Sequence, residues 1–487
     1  MPPKTTATIG IAFFSVFVDM LGITIILPTL PYLALRQRAT GEQMGYLFAT
    51  YPGCQMVSIP LIGRLSDKVG RRPVLLASLA GSAIGFLVQG MSRSFDTLLL
   101  GRAIAGLFAS SIPVAQSTVA DLVPVPERPR YFAIQGMTLS VAFMFGPGIG
   151  AGLAEFSLRT PMFSAAFLSA FGLLLCLQYF EEPLNRRYNS EAIVPIAVPP
   201  DEQDEGASSF PNQVILLRLG WLTSFFSMLG FAAYLFFGGL FLRKRFDWGP
   251  LEYGFTSMAT STLSVLVQAI PYPAVVRFCG EHGALVFGCG LMTLGNGMLA
   301  AVGGKTTDTT GLPLLAMSLA VLATGVSLTI PSVTAILSRN ATPETQGAVL
   351  GASQGFQALG RVVGPLVYGA IFDINAALPF LVAAASSLLT VVLANLSLLI
   401  SRRCRKSEIA AAAAAAEAAE NIAEPDDVLP PHKIVEALRR ENAELRALLA
   451  SANLPVPPPP KTPTRYQPAG GEKKKKKTTS SSSSGDS

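Results

Sequence analysis

Three charged side chains interrupt runs that are otherwise free of charge: Asp19, Arg102 and Arg361. A charge at the centre of a bilayer costs at least about 2.5–3.5 kcal/mol on insertion scales. A residue kept there needs a partner, a wet cavity or, for an acid, a proton. Asp19 is therefore read as a proton carrier or solute contact, with a structural hydrogen-bonding group as the plain alternative. Arg102 lies about six residues inside its run, roughly 9 Å deep at helical rise. Arg361 lies about 16 residues into its own run, roughly 24 Å from the opposite side. Both fall at a similar depth, as coupling cations or as cations that tie helices and snorkel. Arg218, at the start of a run, reads as an interfacial anchor. Gln55, Gln116, Gln135, Gln268, Asn296, Gln354 and Gln357 also sit in apolar runs. Each is a candidate solute contact or a bridge between helices, the latter worth roughly 0.6 kcal/mol. Two interior arginines against one aspartate leave a positive balance, which favours an organic anion or zwitterion over a lipophilic cation.

A second constellation is the loop GRLSDKVGRRP at 63–73. Gly63 permits close helix packing and Gly70 a tight turn. Asp67 is expected to face the start of the run near 346, where Thr342 and Pro343 have the character of N-cap and N1 residues. A carboxylate there contributes about 0.3–1 kcal/mol when exposed and up to about 2 when partly buried. Arg71 is expected to pair with Asp121, and Arg72 adds to the cationic loop. The plain reading is a basic loop with glycine turns. Small residues at Gly106, Gly146, Gly150 and Gly364 let helices approach. Pro147 and Pro365 bend helices whose freed carbonyls a bundle can accommodate.

The elements that must hold these residues follow from composition. Of 487 residues, 50% are apolar and only 14% are charged, about half the charge of a soluble domain. Runs near 7–33, 43–62, 73–92, 97–120, 131–154, 160–180, 214–241, 253–276, 283–303, 311–338, 346–371 and 376–400 are each long enough to span a bilayer. With the N-terminus cytoplasmic, the cytoplasmic loops and ends hold 15 Lys and Arg against 8 on the opposite side. That bias places both ends inside. The cluster Arg243, Lys244 and Arg245 runs against it. A soluble enzyme and a nucleic-acid binder are excluded, because the cations punctuate apolar runs. Five cysteines without metal spacing argue against a zinc site or a disulfide framework, and no cofactor is called for.

The runs divide into two groups of six. Residues 1–180 form the first and 213–402 the second. The polar segment 181–212 reads as a cytoplasmic linker. The groups repeat: FVDMLG at 17–22 recurs as FSMLG at 226–230, with Ser227 replacing Asp19. Pro113 recurs as Pro331 and Gly146-Pro147 as Gly364-Pro365, both at an offset of 218. Internal symmetry with a site between the repeats is a transporter pattern. Residues 403–487 form a low-complexity tail that cannot bury enough apolar surface to fold alone. Within 433–451, heptad spacing allows a short coiled coil or a solvated amphipathic helix.

The loop at 63–73 matches G-x-x-x-D-x-x-G-R-R, and the chain resembles the major facilitator superfamily. GRAIAGLFAS at 101–110 is similar to its fourth-span motif, and GPGIGAG at 146–152 to the fifth-span motif of antiporters. DMLGITIILPTLP at 19–31, ERPRYF at 127–132 and the stretch from Thr345 to Leu366 resemble the drug:proton antiporter branch. Within it the resemblance is to tetracycline efflux proteins and their eukaryotic transporter-like relatives. The resemblance implies an all-α membrane protein of twelve transmembrane helices in two pseudo-symmetric bundles. It implies that Asp67, Arg71 and Asp121 latch the halves on the cytoplasmic side. One departure is plain. Gly85 stands where tetracycline exporters carry a third-span acid, and the ninth span lacks theirs too, so tetracycline–metal exchange by that route is not expected. The expectation is proton-coupled antiport of a small organic solute within a lipid bilayer. Uniport or import of an organic anion, or a receptor whose tail recruits partners, are the alternatives.

Overall fold

The computed structural model describes residues 3–124, 127–182, 210–304, 311–341 and 345–422. Fourteen helices and no strand occur among them: α1 (Pro3–Ile26), α2 (Leu30–Arg36), α3 (Gly41–Val69), α4 (Arg71–Met91), α5 (Phe95–Leu107), α6 (Ser111–Leu122), α7 (Arg128–Ala154), α8 (Thr160–Tyr179), α9 (Phe210–Phe246), α10 (Pro250–Ala269), α11 (Pro271–Gly304), α12 (Gly311–Arg339), α13 (Gln346–Phe372) and α14 (Leu378–Ile422). A helix satisfies its own backbone groups, which hydrocarbon cannot do. Nine stretches among the described residues are long and apolar enough to cross a membrane. The long helices α3, α10 and α13 fall short of that composition, and all three line the boundary between the two halves of the fold.

Several expected runs are broken in specific places. The first stops at Ile26 and resumes at Leu30, around Pro28. The run 97–120 is two helices, α5 and α6, parted at Phe108–Ser110. Gly280, at φ +72°, interrupts α11, so its first nine residues continue α10 and the rest forms a separate helix. At the other end α14 extends to Ile422, through ten residues dominated by alanine, the strongest helix former. The linker residues 183–209 and the 433–451 heptads lie outside the described residues.

Most helices pack mainly within α1 to α8 or within α9 to α13, whereas α3 packs most on α13 and α10 on α7, across the boundary. In each half a Gly-Pro helix lies on the first helix of that half. Gly146 and Gly150 of α7 approach Thr24 and the Ile25 carbonyl of α1, while Gly364 of α13 approaches Leu229 and Ala232 of α9. The internal repeat is thus a repeat of packing.

The two halves meet at the end away from the start of α1. One apolar core spans both there, uniting Tyr32, Leu33 and Phe48 with Phe237, Phe241 and Tyr368. At the near end each half keeps its own core, one around Val16, Leu75 and Val119 and one around Leu285, Val333 and Ile336. The helices α3 and α13 cross closely at the far end. A methyl group on Gly45 would lie 2.5 Å from the Pro365 carbonyl oxygen, and one on Gly369 2.6 Å from that of Gly41. The Gly41 N–H donates to Asp373 Oδ2 at 2.8 Å. The Tyr32 hydroxyl donates to the Gly249 carbonyl at 3.0 Å. Toward the near end the same helices part: a methyl on Gly63, Gly347, Gly351 or Gly355 would meet nothing within 4 Å. The expectation that Gly63 serves close helix packing is therefore corrected.

This crossing predicts a contrast. Gly45→Val overpacks the seam and lowers stability by roughly 1–3 kcal/mol, whereas Gly347→Val meets open space and shifts the thermal unfolding curve little. Equal curves for the two variants would count against the crossing.

Candidate functional site

Asp19 sits on α1 and is fully buried. Its Oδ1 accepts from Ser82 Oγ at 2.7 Å and its Oδ2 from Ser111 Oγ at 2.6 Å. Among the described residues no cation pairs with it. Ser111 reaches it because the chain breaks between α5 and α6, and α4 supports that break. Ser78 Oγ donates to the Phe108 carbonyl at 2.6 Å and accepts from the Ser110 N–H at 3.2 Å. Gln55 Nε2 donates to the Ala109 carbonyl at 3.4 Å, and Gln135 Nε2 to the Ile112 carbonyl at 3.2 Å. Interrupted helices at mid-membrane are tolerated where neighbours satisfy the freed groups. Three helices, α1, α4 and α6, thus converge on one carboxylate.

Arg102 of α5 is 2% exposed. Its guanidinium lies over the Tyr51 ring, 4.9 Å from the centroid. Gly106, one turn on, lets α5 rest on the Tyr51 carbonyl of α3. Tyr51 also lies within electrostatic reach of Asp19 and of Arg361, which comes from α13 in the other half. The Tyr51 hydroxyl and the Nε atoms of Arg102 and Arg361 are buried without a hydrogen-bond partner. Neither arginine has an acidic partner among the described residues. The sequence places Arg102 and Arg361 at a similar depth and singles out Asp19, but not Tyr51. The available signal was its place one helical turn before Gln55, on the same face.

The amides divide. Gln55 and Gln135 tie the α5–α6 break, as above. Asn296 Nδ2 donates to the Gly230 carbonyl at 3.1 Å and is fully buried inside the second half. Gln116 and Gln354 are exposed. Gln357 lines a small pocket with Ser227, the counterpart of Asp19. A cavity of about 120 Å³ lies between the halves, lined by Phe143, Pro147, Phe231, Tyr234 and Tyr253 among others. Gly254 of α10 packs on the Pro147 carbonyl at its edge. Gly85 abuts the Ala105 backbone, where a methyl would already lie 2.6 Å from its nitrogen. An acid at this position has no room, which accounts for the departure in the third helix.

The loop at 63–73 forms a compact charge cluster. Gly70, at φ +105°, makes the turn that only glycine adopts without strain. Arg71 is almost wholly buried. It donates from Nε to Asp121 Oδ2 at 2.8 Å and from Nη1 to Asp67 Oδ1 at 2.6 Å. Arg72 Nη2 donates to the Leu177 carbonyl at 2.6 Å. The Arg71–Asp121 pair is as expected. Asp67 also pairs within its own half and is 63% exposed, while Thr342 and Pro343 lie outside the described residues. Glu182, read only as linker, accepts from the Arg71 and Arg72 N–H groups at 2.8 and 2.9 Å and caps α4. The second half mirrors this corner with reversed polarity. Gly280 makes the corresponding turn, and Glu281 pairs with Arg339 at 2.9 Å. The cations at 243–245 are engaged as well: Arg243 over Tyr32, Lys244 over Phe372, and Arg245 Nε on the Val302 carbonyl.

The sequence profile of the Major Facilitator Superfamily matches residues 12–365 and 220–454, and the chain belongs to that superfamily. The chain is 30% identical over 377 residues to the class E tetracycline resistance protein of Escherichia coli, covering 75% of this chain and 88% of that one. It is 25% identical over 380 residues to multidrug resistance protein 1 of Bacillus subtilis, covering 77% and 92%. The crystal structure of the human organic anion transporter MFSD10 (TETRAN) has the same fold, with a TM-score of 0.57 at 23% identity over 81% of this chain and all of that one. A bacterial homolog to the human lysosomal transporter Spinster, inward-facing and unoccupied, gives 0.62 at 15% identity, covering 82% and 96%. The chain is thus an integral membrane transporter and not an enzyme.

The corner at Arg71 makes a quantitative prediction. Asp121→Asn removes a charged acceptor from a buried guanidinium and costs roughly 1.5–3 kcal/mol. Asp67→Asn, at an exposed partner, costs under about 1. Thermal unfolding of the two variants in detergent checks the order, and a larger loss at Asp67 would reverse the assignment.

Proposed function

We propose that the chain moves a small organic solute across a bilayer by alternating access, in exchange for protons carried on Asp19. The observation that carries this is the buried carboxylate of Asp19, held by two hydroxyls and by no cation. A group in that setting exchanges a proton without disrupting an ion pair. Hydroxyls serve both states, since each can donate to the carboxylate or accept from the acid.

The fold supports twelve spans. Helices α1 with α2, α3, α4, α5 with α6, α7 and α8 make six. Helix α9, α10 with the start of α11, the rest of α11, α12, α13 and α14 make the other six. With both ends cytoplasmic, as the loop charges favour, the far-end seal is on the outside and the arrangement is open inward. The inward-facing relative supports that reading. Asp67, Arg71 and Asp121 then form the loop that meets the second half when the inside closes. Drug-like solutes fit the resistance proteins to which the chain is similar. The unpaired Arg102 and Arg361 favour a second reading, an organic anion as the solute.

Asp19→Asn keeps size and hydrogen bonding and removes titration. In liposomes it is expected to abolish flux driven by a pH gradient while solute binding survives. Gradient-driven flux at the unaltered rate would refute the proton role, and loss of binding as well would move Asp19 to the solute site.

A further inference from the structure

One guanidinium lies over the Tyr51 ring and a second acts on the same tyrosine electrostatically, and the two come from opposite halves of the protein. Arg102 stands on α5, Arg361 on α13, and Tyr51 on α3 is within reach of both. A buried cation without a counter-charge is costly, by several kcal/mol per ion after relaxation. Asp19 makes no ion pair with either arginine among the described residues, its oxygens accepting from Ser82 and Ser111. Proteins leave few buried donors unmatched, and here three polar atoms are orphaned together: Arg102 Nε, Arg361 Nε and the Tyr51 hydroxyl. None of the three is explained by a helix tie, since each tie around them uses other atoms.

We infer that Arg102, Arg361 and the Tyr51 hydroxyl form a subsite for the carboxylate head of an organic anion, which is bound between the two halves. This rests on the transport reading above and gives it a substrate class and a contact set. A planar carboxylate matches the guanidinium fork, with the phenol as a third donor. The body of such a ligand has an apolar place to go. Gln357, one turn before Arg361, lines a pocket whose wall includes Phe231, and Phe231 also lines the cavity with Phe143, Tyr234 and Tyr253. An aryl acid satisfies both parts. The subsite also explains why the cations are divided between the halves. With the site empty, they repel one another across the boundary. A bound anion is their shared counter-charge, so it favours the closed approach of α3 and α5 to α13.

Equilibrium binding on purified full-length protein, without any gradient, tests this apart from transport. The probes are 4-phenylbutyrate and 2-naphthoate, each against its neutral amide of the same shape, by titration calorimetry at neutral pH. The unaltered protein is expected to bind at least one acid about tenfold or more tightly than its amide, the scale of a charge-assisted hydrogen bond. Tyr51→Phe, which removes only the hydroxyl, weakens acid binding and leaves amide binding unchanged. Arg361→Gln abolishes the preference, and Arg361→Lys restores part of it. The charge-conserving variant and the Phe variant keep the test alive should the Gln protein fold poorly. Acids bound no more tightly than amides in the unaltered protein, or a preference that survives Arg361→Gln, would overturn the subsite. Gradient-driven flux that fails while the preference stands would remove the transport reading alone, and intact flux with no preference would remove the subsite alone.

Discussion

The carboxylate of Asp19 has been taken out of water without a cation to meet it, and two serine hydroxyls hold it. A hydrogen bond to a charged group is worth about 1.5–3 kcal/mol, so these two contacts stand against a large desolvation cost. The Ser111 contact exists only because α5 and α6 are separate helices. Ser111 opens α6 and points at Asp19, and Ser78 satisfies the backbone that the break exposes. Continuous helix from 95 to 122 would carry Ser111 away. The break, the serine pair on α4 and the glycines that let α4 and α5 touch form one arrangement around one charge.

The second half has no acid at the matching place. Ser227 there donates to its own helix, to the Thr223 carbonyl at 2.6 Å. The repeat therefore shares packing and not charge. Gly-Pro helices lie on the leading helix of each half, and glycine turns open the corners at 70 and 280. The corner ion pairs exchange polarity, Arg71–Asp121 in one and Glu281–Arg339 in the other. Such symmetry gives the two halves similar packing. The seam between them is then the part that changes, and at the far end glycines at 41, 45 and 369 bring it to backbone contact.

Much of this was legible in the sequence. Apolar runs gave the helices, and the loop at 63–73 gave Arg71 and Asp121 before any contact was seen. Depth counted along the helices placed Arg102 and Arg361 together. Other features were not legible for physical reasons. Tyr51 reads as one more aromatic in an apolar run, and only tertiary packing shows that its ring lies under Arg102 and its hydroxyl is buried without a partner. Glu182 looks like linker composition, yet it caps α4. The break at 108–110 lacks a proline inside it, since Pro113 lies within α6, so hydropathy runs straight through. Asn296 matched the pattern of a cavity amide and instead ties helices within one half. Gly85 shows the converse, since its lack of a side chain could be read but the reason, contact with Ala105, could not.

The central claim is that the halves share a core at one end only and exchange that seal for one at the other end. Spin labels at Leu65 and Gly351 report the near end, and labels at Glu42 and Ile374 report the far end. Pulsed dipolar distances on both pairs, recorded at neutral and acidic pH with and without an aryl acid, test the claim directly. The account predicts a reciprocal change, the near-end distance shortening in the population where the far-end distance lengthens. Two distances that stay fixed under all conditions, or that lengthen together, would contradict it.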